Sequence, residues 1–287
     1  MHDTTSGTPA ARMATRDLRH ESDDQVQTDS TPATDSPFGE TVIDAKNLGF
    51  AYGDHVILDD FNLEIKAGEI VALIGPSGCG KSTFLNLIAG IIAPTAGELS
   101  CHGAPVKGLS HSVSYMTQQD TLLPWRTALD NAALPLEIKH VPKRARYERA
   151  RAELERVGVA EAEKRRPHEL SGGMRSRLSL ARSLLGDADI FLMDEPFAAI
   201  DAILRVKLQQ LLVDLWTETH KTIVYVTHDL NEAICLGHRV IVMPSGTSGI
   251  YEKVIDRPHP RNVGSFRAER EVQDIYAELW GALDQDH

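Results

Sequence analysis

The run GPSGCGKS, Gly75 to Ser82, constrains this chain more than any other feature, because it fits the pattern G-x-x-x-x-G-K-[ST] and has the right neighbours. Before it, residues 69–75 read EIVALIG, an apolar stretch rich in Val, Ile and Leu that suits a buried strand. After it, STFLNLIAG continues at helical spacing. A strand, a glycine-rich turn and a helix are therefore predicted in sequence. Glycines let the turn curl until successive N–H groups point at phosphate oxygens, and the helix adds the positive end of its dipole. In such a cradle Lys81 reaches the β- and γ-phosphates and Ser82 offers its hydroxyl to Mg²⁺. The competing reading is a glycine turn that merely joins strand to helix, and the motifs downstream weigh against it.

Two of those motifs stand out. IFLMDEP, Ile190 to Pro196, is an apolar strand ending in adjacent carboxylates, which alternation along the strand would aim in different directions. Asp194 is placed to hold hydrated Mg²⁺, and Glu195 to polarise an attacking water as general base. LSGGMRSR, Leu170 to Arg177, precedes the helical run LSLARSLL. Ser171 is a good N-cap there, and Gly172 and Gly173 leave the first turn's N–H groups bare, which makes a second anion site. KTIVYVTHD reads as another buried strand with a polar carboxyl end.

Taken in order, the Gly75–Ser82 loop, LSGG and MDEP resemble the ATPase subunits of ABC transporters, and the resemblance covers residues 42–280. It implies an α/β P-loop NTPase of the ABC ATPase fold, with a RecA-like core sheet, an N-terminal antiparallel β subdomain and a helical subdomain at 119–180. It also implies that two copies dock head to tail, LSGG of one closing on ATP·Mg²⁺ held by the other. The nucleotide contacts so implied are Tyr52, Gly75, Pro76, Ser77, Gly78, Cys79, Gly80, Lys81, Ser82 and Thr83, with Ser171, Gly172 and Gly173 from the mate. Tyr52 matches the aromatic that stacks on adenine, a core tyrosine of a β-meander being the alternative. Gln118 in YMTQQD matches the glutamine that senses Mg²⁺ and the attacking water and links the core to the helical subdomain, with Gln119 ranked second. Asp201 matches the aspartate that crosses the dimer interface, and His228 the switch histidine at the γ-phosphate. The implied metal-side residues are Ser82, Gln118 and Asp194, and the implied catalytic ones Glu195, His228, Gln118 and Lys81.

The stretch LLPWRTALDNAALPLEI and the ending RPHPRNVGSFRAE resemble the branch that energises uptake of nitrate, sulfonates and taurine. That branch implies separate transmembrane permease subunits, a solute-binding protein and a seat on the cytoplasmic face of the cell membrane. Two positions depart from the family's pattern. Ser176 stands where Gln usually follows LSGGMR, and Gly237-His238 replace an acidic residue before Arg239, which puts a switch-region ion pair in question. A soluble ABC-type ATPase of nucleic-acid or ribosome metabolism is the rival, but its usual coiled-coil, zinc or second-cassette insertions are missing.

Bulk properties agree. The chain has 287 residues and a net charge of −11, which argues against a nucleic-acid binder relying on overall basicity. Three cysteines without paired spacing suit a reducing compartment. No apolar run approaches the ~20 residues of a membrane-spanning helix, and the N-terminus does not read as a secretory signal. Residues 1–40, rich in Thr, Ser, Asp and Pro, are expected to be a disordered acidic tail, solvated or regulatory, ahead of one ABC ATPase domain at 41–287. The basic run KRARYERARAELER is read as a solvated helix face, with a partner or anionic lipid as the alternative. Val272, Ile275, Tyr276, Leu279, Trp280 and Leu283 recur at helical spacing, as in a helix docked on the core.

Overall fold

The computed structural model describes residues 38–244 and 249–284, so the expected acidic tail lies outside the described residues except for its last three positions. The fold begins with two long antiparallel strands, β1 (Thr41–Tyr52) and β2 (His55–Lys66). They turn at Gly53, whose φ of 58° is a backbone conformation that glycine adopts without penalty. With β4 (Ala96–Cys101) and the short β5 (Ala104–Pro105) they make a four-stranded sheet in the order β2-β1-β4-β5.

A second sheet carries the apolar runs. Its strands are β3 (Ile70–Ile74), β6 (Val113–Met116), β7 (Ile190–Asp194), β8 (Thr222–Val226), β9 (Arg239–Val242) and β10 (Tyr251–Val254), ordered β10-β9-β3-β8-β7-β6. All neighbours are parallel except the edge pair β10 and β9. Every residue of β3, β7 and β8 is buried. That is why these strands read as continuous apolar runs, since both faces of a parallel sheet are covered. Successive residues serve opposite cores: Ile70, Ala72 and Ile74 pack on one side with Phe191 and Met193, while Val71 and Leu73 pack on the other with Ile190 and Leu192. The second core joins this sheet to the four-stranded one through α1 (Lys81–Ile88), whose Phe84, Leu85, Leu87 and Ile88 are all buried.

The middle of the chain is helical as expected, but in pieces. Thr127 caps α2 (Ala128–Ala132) by accepting from Asp130 N–H, and α3 (Leu134–Ile138) and α4 (Lys143–Arg156) follow. Gly158, at φ 70°, lies just past the end of α4. The basic run is this α4. It buries Ala150, Glu153 and Leu154 and turns Arg144 and Arg151 outward to pair with Glu148 and Glu163. α5 (Gly172–Leu184), α6 (Ala202–Thr219), α7 (Leu230–Leu236), α8 (Val263–Phe266) and α9 (Arg270–Asp284) complete the molecule. α9 docks through Val272, Ile275 and Leu279, but Trp280 is left 57% exposed, stacked on Tyr276. Among the described residues no helix is long and apolar enough to cross a membrane.

Candidate functional site

Parallel strands deliver their carboxyl ends to one edge of a sheet, and β3, β8 and β7 are neighbours. Their three following loops therefore converge. The loop after β3 is the Gly75–Ser82 turn. A side chain at Gly75 is impossible, because a Cβ there would lie 2.2 Å from the Met243 carbonyl oxygen. Gly80, at φ 104°, is the N-cap of α1, and its Cβ would meet Leu58 at 2.8 Å. The helix's first internal bond runs from Phe84 N–H to the Gly80 carbonyl, so the amides of Lys81, Ser82 and Thr83 are left facing outward from the helix start. The Lys81 ammonium folds back over the loop and donates to the carbonyls of Gly75 (2.8 Å) and Pro76 (2.7 Å). Ser77 and Gly78 form the exposed crest, while Cys79 is buried beneath it.

Asp194 closes β7 and is buried. Burial raises its pKa above the ordinary carboxylate range, opposed by a hydrogen bond from Ser82, while neighbouring Glu195 raises it and Lys81 lowers it. A buried carboxylate joined to a serine hydroxyl is a hard, oxygen-only donor set. It fits Mg²⁺, which takes one or two protein oxygens and completes its shell from phosphates and water. Glu195 diverges from Asp194 for a reason other than the one expected. It is not the next residue of a strand: its N–H still donates to the Val226 carbonyl, but its φ of 51° swings the chain out of the sheet. A left-handed non-glycine residue is strained, a cost that functional sites often carry. His228, two residues past β8, brings Nδ1 to 3.5 Å from Glu195 Oε1 and is largely exposed.

The remaining expected residues stand apart from this cluster. Tyr52 is 55% exposed, edge-on to Phe50, and so is not the core tyrosine of the alternative reading. Gln118 and Gln119 are exposed just beyond β6. Ser171 caps α5 by accepting from Met174 N–H at 3.2 Å, and Gly172 beside it is exposed. Asp201 caps α6, accepting from Leu204 N–H at 3.0 Å. None of these is hydrogen-bonded to Lys81, Asp194 or Glu195 among the described residues.

The pattern of the family described as ABC transporter matches residues 58–198. The taurine import ATP-binding protein TauB of Roseobacter denitrificans is 43% identical over 202 residues, 70% of this chain and 75% of that protein. An aliphatic sulfonates import ATP-binding protein of Pseudomonas syringae pv. tomato is 40% identical over 222 residues, 77% of this chain and 80% of that protein. A solved dimeric ATP-binding cassette, in a post-hydrolysis state bound to ADP and Pi, matches with a TM-score of 0.69 and 34% identity over 76% of this chain and 100% of that one. This chain belongs to the ABC transporter family. It is one of that family's ATP-binding subunits and an ABC-type ATPase.

Within this ABC ATPase, a residue beside the Ser171 turn escaped the sequence reading, and the two departures from the family's pattern can be placed. Arg175, inside the LSGGMR run, donates through Nε to Asp120 at 2.7 Å and through Nη1 to the Leu170 carbonyl at 2.8 Å. His238 does not enter an ion pair. It is buried, accepts from Ile70 N–H at Nδ1 (2.9 Å), and packs with Trp216 and His259. Burial pushes its pKa down to about 3. The pair in question is made by Arg239, which binds Glu69 at 3.0 Å and Glu252 at 2.7 Å. Nothing in the structure accounts for Ser176.

Proposed function

We propose that this chain powers uptake of a small anion, of the nitrate, sulfonate or taurine kind, through separate permease subunits. It does so from the cytoplasmic face of the membrane, as one half of a head-to-tail pair. The observation that carries the reading is the convergence of Lys81, Ser82, Asp194, Glu195 and His228 at the ends of three adjacent parallel strands. The names of the taurine and sulfonate relatives support the solute class. A solute-binding protein that hands the anion to the permease completes the set of partners.

In this reading the outward amides at the start of α1 bind the triphosphate, and Lys81 exchanges its carbonyl partners for phosphate oxygens. Ser82 and Asp194 would hold Mg²⁺, which when bound neutralises charge on the phosphates. Tyr52 offers a flat face to adenine. Glu195 accepts the proton of the attacking water, and His228 steadies that carboxylate and reaches the γ-phosphate. The Ser171–Gly173 turn of the mate, with Asp201 crossing beside it, closes the site. Because that turn gains a partner only while the γ-phosphate is present, hydrolysis removes the contact and releases the pair.

Glu195→Gln keeps the shape of the group and removes the base. Turnover measured by phosphate release is expected to fall ~10²- to 10⁴-fold, the ordinary contribution of a general base. That corresponds to roughly 3–5 kcal/mol of barrier. ATP binding is expected to persist. Turnover within a few-fold of the parent would take the role from Glu195.

A further inference from the structure

Two exposed apolar side chains stand beside segments that the proposed pair of copies brings together. Ile203, in the first turn of α6, is 76% exposed, and Asp201 and Ala202 before it are exposed as well. The stretch leading to them lies against the Ser171 turn: a Cβ at Gly173 would stand 3.1 Å from the Ala199 carbonyl oxygen. A partner that receives the Ser171 turn is thus met by Ile203 too. The second side chain is Trp280. Where the Gly75–Ser82 loop leaves β3, Gly75 and Pro76 line an apolar hollow of about 210 Å³ together with Trp280, Leu283 and Asp284 of α9. Tyr276, half-buried against the core, stacks on Trp280 with ring planes 9° apart, which holds the indole at the hollow while much of it stays open.

We infer that this hollow is the seat for Ile203 of a second copy, so that α9 belongs to the dimer interface. The inference rests on the proposed sandwich, in which the mate's Ser171 turn and Asp201 close on the Gly75–Ser82 loop. A branched aliphatic side chain fits a hollow of that size, and under a twofold axis the contact is made twice, each copy giving one knob and one hollow. Charge agrees with shape. α6 has no acidic residue in its own first turn, and Asp284 at the rim sets a carboxylate beside the positive end of the mate's helix. Exposed apolar residues are ordinary when scattered singly, whereas these two lie next to the two segments that must meet.

Sedimentation equilibrium of the full chain, with a nonhydrolysable ATP analogue and Mg²⁺ or with ADP, tests this. The parent is expected to pair with the analogue and not with ADP. Ile203→Ala and Trp280→Ala are each expected to weaken the analogue-bound dimer at least ~10-fold, the loss of an apolar contact made twice. The double variant is expected to lose no more than the weaker-binding single one, because knob and hollow serve one contact. The dissociation constant for ADP stays at the parent's value in all three. Ile203→Glu, which sets a carboxylate against Asp284, is expected to prevent pairing, and Asp284→Lys in the same chain to restore part of it; this arm keeps Trp280 and so holds even if Trp280→Ala loosens α9. Dimers of parent strength from the single variants, as when a permease segment fills the hollow instead, or losses that multiply in the double variant, overturn the seat and leave the sandwich standing. If the parent does not pair with the analogue at all, the sandwich and the seat fail together.

Discussion

At the scale of single residues, the candidate site keeps charged groups close but differently partnered. Lys81 is anchored by two backbone carbonyls of its own loop, so its ammonium is held over the turn. Lys81→Ala removes the ammonium held over the loop. Its dissociation constant for ATP is expected to rise at least ~10-fold, the loss of a charge-assisted hydrogen bond or two. An unchanged constant, measured by titration calorimetry, would contradict the phosphate role. The loop, the paired carboxylates and the Ser171 cap were legible in the amino-acid sequence because each is local: a turn, a strand end and a helix start are written in consecutive residues. The divergence of Asp194 and Glu195 was legible as a fact but not in its cause. A left-handed φ at a glutamate has no signature in composition or spacing.

At the scale of elements, what escaped the sequence was what joins distant segments. Asp120 and Arg175 meet across 55 positions, and His238, Trp216 and His259 arrive from a strand edge, a helix end and a loop. No periodicity marks such partners. The contact between α6 and α7 is of this kind. Glu232 on α7 is buried against Gln209 of α6, 3.0 Å away, with Thr227 and Arg205 also facing it. Burial chiefly, and then the nearby Asp229 charge, lifts its pKa to about 7, while Thr227, Gln209 and Arg205 pull it down. A carboxyl whose folded value lies above its unfolded one binds its proton more tightly in the native state. Its favourable contribution is therefore complete below about 4.3, the unfolded value, and is lost as the pH rises through 7. Glu232→Gln is expected to melt near the parent at pH 5 and above it at pH 8. A gap that does not widen between those values would mean that Glu232 is not neutralised by its surroundings.

At the scale of the whole molecule, the chain carries two glycine-rich helix starts, those of α1 and α5. The α1 start stands among Lys81, Asp194 and Glu195, while the α5 start, with Gly172 exposed, makes no hydrogen bond to that group among the described residues. In the proposed sandwich a second copy brings these two starts together, and a solved cassette of the same fold is itself dimeric, in a post-hydrolysis state bound to ADP and Pi. The fold class was foretold, since it is carried by runs of apolar strands ending in charged loops. Trp280, exposed at the end of α9, was not foretold, because the helical pattern cannot say how far the core extends. The decisive measurement is thiol crosslinking between two tagged versions of the chain, one carrying Ser77→Cys and the other Ser171→Cys, the native cysteines all being buried. With a nonhydrolysable ATP analogue, a mixed crosslinked dimer is expected, and with ADP almost none. No mixed dimer, or the same yield with ADP, would contradict the claim that ATP is held between the Lys81 loop of one copy and the Ser171 turn of the other.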